Sequence, residues 1–237
     1  MTSSALIDRR SVCATGLAAG CLSAFSTAQV ALASETELAP IPPASPDPES
    51  PFGIDLNVNM ETIDDYIGRA DITFRDMRLI KDPADYAAIG GSALLDFMLE
   101  GFKLVPFPYI GTLQELPVEG AYEGPVLFDI EWADDGTVAK AEPRYEESQL
   151  ILEELFPKDR PLFLMCGAGG YAGMTRQLLI RLGWDPELVY NIGGAWEYTG
   201  YKAVPVVEYG EDGEDPRFYL WRADIATIDF DQYQPLA

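Results

Sequence analysis

Apolar residues recur at two different periods along this chain. Between Glu146 and Leu155 they fall at Leu150, Ile151, Leu152 and Leu155, and between Gly173 and Leu182 at Met174, Leu178, Leu179 and Leu182. That spacing puts each set on one face of a helix. The runs Leu162 to Met165 and Leu188 to Ile192 are short and almost unbroken, as strands buried on both faces require. Strands that alternate with helices predict an α/β fold with a mostly parallel sheet flanked by helices. Gly183 is placed to end the second helix, and Gly193-Gly194-Ala195-Trp196 predicts a short helix or turn after the last strand.

The N-terminal half is patterned more faintly. Thr62 predicts the cap of a helix through Asp64, Asp65, Tyr66 and Ile67, and Ile72 to Arg75 a strand that ends at Asp76-Met77-Arg78. Asp82-Pro83 opens a further helix through Tyr86, stopped by Gly90-Gly91, and Phe102 to Phe107 reads as a strand closed by prolines. Between Gly111 and Arg144 no helical period appears. There Val126 to Trp132 and Thr137 to Lys140, joined through Asp135-Gly136, predict a hairpin inserted before the strand at 162, a candidate substrate cover. Residues 204–237 form a C-terminal extension in which the acidic run Glu211 to Asp215 predicts a surface loop and Phe218 to Trp221 an edge strand.

The first residues read as an address. Arg9-Arg10 precede an uncharged, small-residue stretch from Val12 to Ala33, the layout of an export signal, so residues 1–33 are expected to be a signal or anchor segment and the protein to be exported to the cell envelope. Arg9-Arg10-Ser11-Val12 resembles a twin-arginine signal. Ala18-Ala19-Gly20-Cys21 resembles a lipobox, which would make Cys21 a lipidation site, whereas Ala31-Leu32-Ala33 resembles an ordinary signal-peptidase site. A transmembrane helix is the third reading, disfavoured by the Ala- and Ser-rich composition. Residues 34–53, rich in Pro, Glu and Ser, predict a stiff linker, with the folded body beginning at Ile54.

Charge and composition narrow the chemistry. A formal charge of −23 argues against nucleic acid or an anionic membrane surface as partners of the folded body, leaving the N-terminal segment as the membrane contact. The chain contains no histidine, which removes Cys-His dyads, Ser-His-Asp triads and histidine metal sites together. No metal or organic cofactor is expected.

Outside the leader, which holds Cys13 and Cys21, only one cysteine remains. Cys166 closes the run Pro161 to Met165 and directly precedes Gly167-Ala168-Gly169-Gly170-Tyr171-Ala172-Gly173. A buried strand running through a glycine-rich loop into a helix aims backbone N–H groups and a positive helix end at one spot. A thiol there is expected to ionise below its free value of about 8.5 and to act as a nucleophile. The bland alternative is a small buried hydrophobe. Gly167 to Ala172 also matches a Gly-x-Gly-x-x-Ala dinucleotide fingerprint, which normally opens a domain rather than closing one. A cysteine phosphatase or arsenate reductase would need arginine where Ala172 stands.

Asp76-Met77-Arg78 after a strand, the Asp85-Tyr86 helix, Cys166 at a strand-to-helix loop, Leu182-Gly183-Trp184, Val189-Tyr190 and Gly193-Gly194-Ala195-Trp196 together resemble the rhodanese-like domain, over residues 54–203. The resemblance implies a sulfurtransferase in which Cys166 takes a sulfane sulfur from a small donor as a persulfide and passes it to a thiol or other nucleophile. Gly167, Ala168, Gly169, Gly170, Tyr171 and Ala172 would then cradle the outer sulfur. Tyr171 stands where thiosulfate-using members often carry arginine or lysine, so thiosulfate is expected to be a poor donor. Arg78, by family position, and Arg176, one turn into the helix, are the candidate cations for substrate. The competing expectation is a catalytically silent module that binds a protein partner through Tyr171, Trp196 and Tyr198, or senses redox state through its thiol.

Overall fold

The computed structural model describes residues 38–79, 96–114, 122, 124–208, 210 and 217–236. The expected leader, with Cys21, and the helix expected at Asp82 lie outside these residues. The elements of the description are β1 (Thr73–Asp76), β2 (Phe97–Leu99), β3 (Lys103–Leu104), α1 (Phe107–Ile110), β4 (Phe128–Trp132), β5 (Val138–Pro143), α2 (Ser148–Leu155), β6 (Leu162–Cys166), α3 (Gly170–Arg181), β7 (Val189–Gly194), β8 (Ala203–Pro205), β9 (Val207–Glu208), β10 (Arg217–Phe218) and β11 (Asp224–Ile225).

A five-stranded parallel sheet, ordered β11-β3-β1-β6-β7, carries the fold. Its central strand β6 is apolar without a break because both faces are covered: Leu162, Leu164 and Cys166 enter one core layer, Phe163 and Met165 the other. The first layer is closed by Leu152 and Phe156 of the α2 segment, by Ala172, Leu178 and Leu179 of α3, and by Phe128, Ile130 and Val138 of the β4–β5 hairpin. The second is closed by Val58, Met60, Ile63, Met98, Leu99 and Phe102, from short turns and strands. The expected α/β architecture, with a mostly parallel sheet flanked by helices, is therefore present.

Individual elements refine the reading. The inserted hairpin pairs Phe128 with Pro143 through Trp132 with Val138, as the alternation around Asp135-Gly136 predicts. The helix expected at Thr62 is a single 3-10 turn, Ile63–Asp65, because the Thr62 hydroxyl is turned back to the Asn57 carbonyl and accepts from the Asn59 N–H instead of capping forward. In the C-terminal extension the edge of the main sheet is Asp224–Ile225, paired with Lys103 and Leu104, while Phe218 pairs with Val207 in a separate ribbon. A boundary at 203 would therefore cut β8 and remove a strand of the central sheet.

The compact unit begins at Ile41, thirteen positions before Ile54. Residues 41–53 are not a free linker: the Tyr190 hydroxyl donates to the Pro42 carbonyl (2.6 Å), the Ala44 N–H to Glu187, and Pro46 bridges Asp55. Prolines favour the extended backbone seen here, and an extended arm can lie along a sheet as readily as through solvent. Asp55 holds the arm's turn, its buried carboxylate accepting from the N–H groups of Ser45, Asn57 and Val58.

Candidate functional site

Parallel strands present their carboxyl ends on one edge, where loops and helix N-termini converge. Cys166 stands at that edge, at the end of β6, and the β6–β7 register shifts between Leu164 and Cys166 so that Cys166 lies opposite Gly194. The irregularity turns the chain out of the sheet and into the loop. Gly169 adopts φ +92, a left-handed conformation that costs glycine little, and its N–H donates to Cys166 Sγ at 3.1 Å. The helix α3 starts at the next residue.

The loop is held from its far side as well. Gly194 approaches so closely that a Cβ there would lie 2.2 Å from the Gly167 carbonyl oxygen, and the Trp196 N–H donates to that oxygen at 3.3 Å. Trp196 lays its indole beside Gly167 while remaining 56% exposed. Tyr198 is tied down instead, donating to Asp64 at 2.6 Å and accepting from the Lys202 N–H.

Burial pushes the Cys166 thiol pKa up, and the backbone N–H groups of Ala172, Ala168, Tyr171 and Gly169 pull it down by less. Backbone N–H groups therefore face the sulfur, but the shift runs against the expected easy ionisation, because Cys166 is only 4% exposed and its anion would be desolvated. Tyr171, half-buried in the first turn of α3, has its ring centroid 6.1 Å from that of Phe107. Burial, and then the neighbouring Cys166, push its phenol up too.

Both candidate cations have partners away from this sulfur. Arg78 is buried and spends its guanidinium on Asp76 (Nε to Oδ2 2.9 Å, Nη2 to Oδ2 2.6 Å) and on the Phe97 carbonyl (2.7 Å). Arg176 donates to the carbonyls of Val189 (2.9 Å) and Pro186 (3.2 Å), where β7 begins. A strand-end arginine with an acidic neighbour two residues away has a partner before any ligand arrives. Arg176 reaches across to the N-terminal end of β7, whereas Cys166 stands at the carboxyl edge of the sheet. Arg75 is committed likewise, to Leu155 and Phe74, with burial lowering its pKa to about 10.

A groove of about 690 Å³ lies over the start of α3, lined by Phe52, Gly170, Gly173, Met174, Arg176 and, from the hairpin tip, Asp135. The hairpin is thus one wall of a groove beside the loop.

Two residues escaped the sequence reading. Asn191, 1% exposed, donates from Nδ2 to the Gly169 carbonyl (3.0 Å) and to Phe52 of the arm (2.8 Å). Asp55 anchors that arm. A lone amide within Leu188-Val189-Tyr190-Asn191-Ile192 was the available signal, since a polar side chain in a buried strand must find partners.

Among the described residues no group of three or more Cys, Asp or Glu is arranged to hold a metal ion, and no helix is long and apolar enough to cross a membrane. No protein-family model, curated protein or solved structure matches this chain.

Proposed function

We propose that this protein is a rhodanese-like sulfurtransferase in which Cys166 carries a sulfane sulfur between a small donor and a thiol acceptor. The observation that carries the reading is the convergence of backbone N–H groups on Cys166 Sγ from a loop that ends in a helix N-terminus. Such an array stabilises a diffuse sulfur anion without a general base, which suits a chain with no histidine.

In the forward half-reaction the Cys166 thiolate attacks the outer sulfur of a donor R–S–S⁻. A Cys166 S–S bond forms, the donor S–S bond breaks, and RS⁻ leaves with the bonding pair. In the second half an acceptor thiolate attacks the outer sulfur and Cys166 departs as the thiolate, so that no external oxidant or reductant is consumed. The loop N–H groups hold the charge on Sγ before attack and after release.

With Arg78 and Arg176 engaged elsewhere, the donor is a persulfide or polysulfide of low charge rather than a dianionic thiosulfate. Transfer of sulfur from a polysulfide to an acceptor thiol, read as the persulfide formed on that thiol, should be readily measured while thiosulfate:cyanide transfer stays weak. Equal turnover with the two donors would remove the donor assignment, and the absence of both the activity itself.

A second reading has one observation in its favour, the near-complete burial of Cys166. A silent module would leave this thiol unreactive towards iodoacetamide until the chain unfolds. For location we propose export directed by Arg9 and Arg10 with lipidation at Cys21. Arginine-to-lysine exchange at both positions should abolish export, and acyl labelling should disappear in Cys21→Ser.

A further inference from the structure

We propose that Asn191 is a positioning residue for Cys166, tying the sulfur's loop at once to the last parallel strand and to the N-terminal arm. The inference rests on the reading of Cys166 as a nucleophile. Three segments meet on this one buried amide: Nδ2 donates to the Gly169 carbonyl at 3.0 Å and to the Phe52 carbonyl at 2.8 Å, while Oδ1 accepts from the Gly193 N–H at 3.1 Å. The opposite orientation would face a carbonyl oxygen towards two carbonyls, so the three partners fix which way the amide points.

Gly169 is the residue through which this matters. Its N–H is the one that donates to Cys166 Sγ, and its carbonyl accepts both from Asn191 and from the Gly173 N–H of α3 (2.8 Å). Pinning the carbonyl fixes the peptide that follows Gly169. With φ held at +92, the direction of the N–H is then set as well. Glycine has the widest backbone freedom of any residue, so an unpinned Gly169 would be free to swing its N–H off the sulfur. The arm is bound in the same device: the Asp55 N–H donates to the Asn191 main-chain carbonyl at 2.8 Å, two residues beyond Gly53. Residues 41–55 therefore brace the site from outside the strand-loop-helix unit that contains the cysteine.

The test is the pH profile of Cys166 alkylation in the full-length chain. Iodoacetamide is the probe, and the Cys166 peptide is resolved from those of Cys13 and Cys21 by mass spectrometry. Asn191→Leu keeps the approximate volume and adds no charge, but removes the donors and the acceptor. Its alkylation midpoint should rise by about one pH unit, the loss of roughly one hydrogen bond to the charged form. A purely structural amide would lower the denaturation midpoint and leave the alkylation profile where it was. Gly173→Ala provides the independent arm. A Cβ there would stand 2.8 Å from the Phe52 carbonyl oxygen and 3.4 Å from Asn191 Nδ2, so it dislodges the arm while favouring the helix. Its midpoint should rise by less.

An unmoved midpoint in folded Asn191→Leu overturns the proposal, as does an unmoved midpoint in Gly173→Ala should Asn191→Leu fail to fold. Wild-type protein alkylated at Cys166 only after unfolding would overturn the nucleophile reading, and this inference with it. Alkylation of native wild type with unmoved variants would sink the positioning role alone.

Discussion

Two neighbouring strands of the same sheet end at the same edge and handle charge in opposite ways. At the end of β1, Asp76 and Arg78 are both buried and neutralise one another through a forked ion pair. At the end of β6, Cys166 is equally buried and faces backbone N–H groups, with no cationic side chain among the described residues bonded to its sulfur. A side-chain pair is complete without a ligand. An array of peptide dipoles is complete only when an anion stands in it. The difference is that charge at the end of β1 is matched by a side chain, whereas backbone N–H groups face the sulfur at the end of β6.

The sharpest way to break this contrast is Cys166→Ser. A hydroxyl in the same cradle is a far weaker nucleophile, so sulfur transfer should fall to the uncatalysed background while the protein stays folded. Residual transfer above background would move the chemistry elsewhere.

Asp76→Ala tests the other strand end. It strands a buried guanidinium and should cost about 3–5 kcal/mol in a urea titration, whereas the paired replacement of Asp76 by Leu and Arg78 by Met should recover most of that. A smaller loss accompanied by changed donor preference would bring Arg78 back into the site.

Tyr171→Arg sharpens the comparison by supplying the missing cation. A charge-assisted hydrogen bond is worth roughly 1.5–3 kcal/mol, so thiosulfate turnover should rise about ten- to a hundredfold, more at low ionic strength, with polysulfide turnover little changed. No gain would mean that the last loop residue does not control donor choice.

The smallest effect is a pH dependence. Burial raises the folded-state pKa of Cys166, so the folded protein keeps its proton at pH values where the unfolded chain has lost it. Stability should therefore fall as pH rises through the ordinary thiol range towards the folded value, with a slope of at most about 1.4 kcal/mol per pH unit from this group. Comparing thermal melts of wild type and Cys166→Ala across that range isolates it. Parallel curves would mean that the thiol is not buried as described.

How much of this was legible in the sequence follows from which interactions are local. Strand β6, its glycine loop and α3 are contiguous, and their apolar spacing gave all three, with the helix beginning at Gly170, three residues before the expected start at Gly173. The hairpin likewise carries its own turn. What the pattern could not give were pairings across distant segments. Arg78 had its partner two residues away, yet the choice of Asp76 over substrate depends on the burial of both. The arm at 41–53 reads as linker because prolines dominate it, whereas the carbonyls it offers to Asn191 and Tyr190 and the packing of Ile41 and Ala44 bind it to the folded body. Asp224 and Ile225 gave no strand signal, since two residues are too few to show a period.

The most direct test of the central claim is the mass of the Cys166 peptide after native full-length protein is incubated with a low-charge polysulfide. The account predicts a gain of one sulfur atom on Cys166, discharged on adding an acceptor thiol. Protein that gains no sulfur at Cys166 under conditions that load a free small thiol would contradict it.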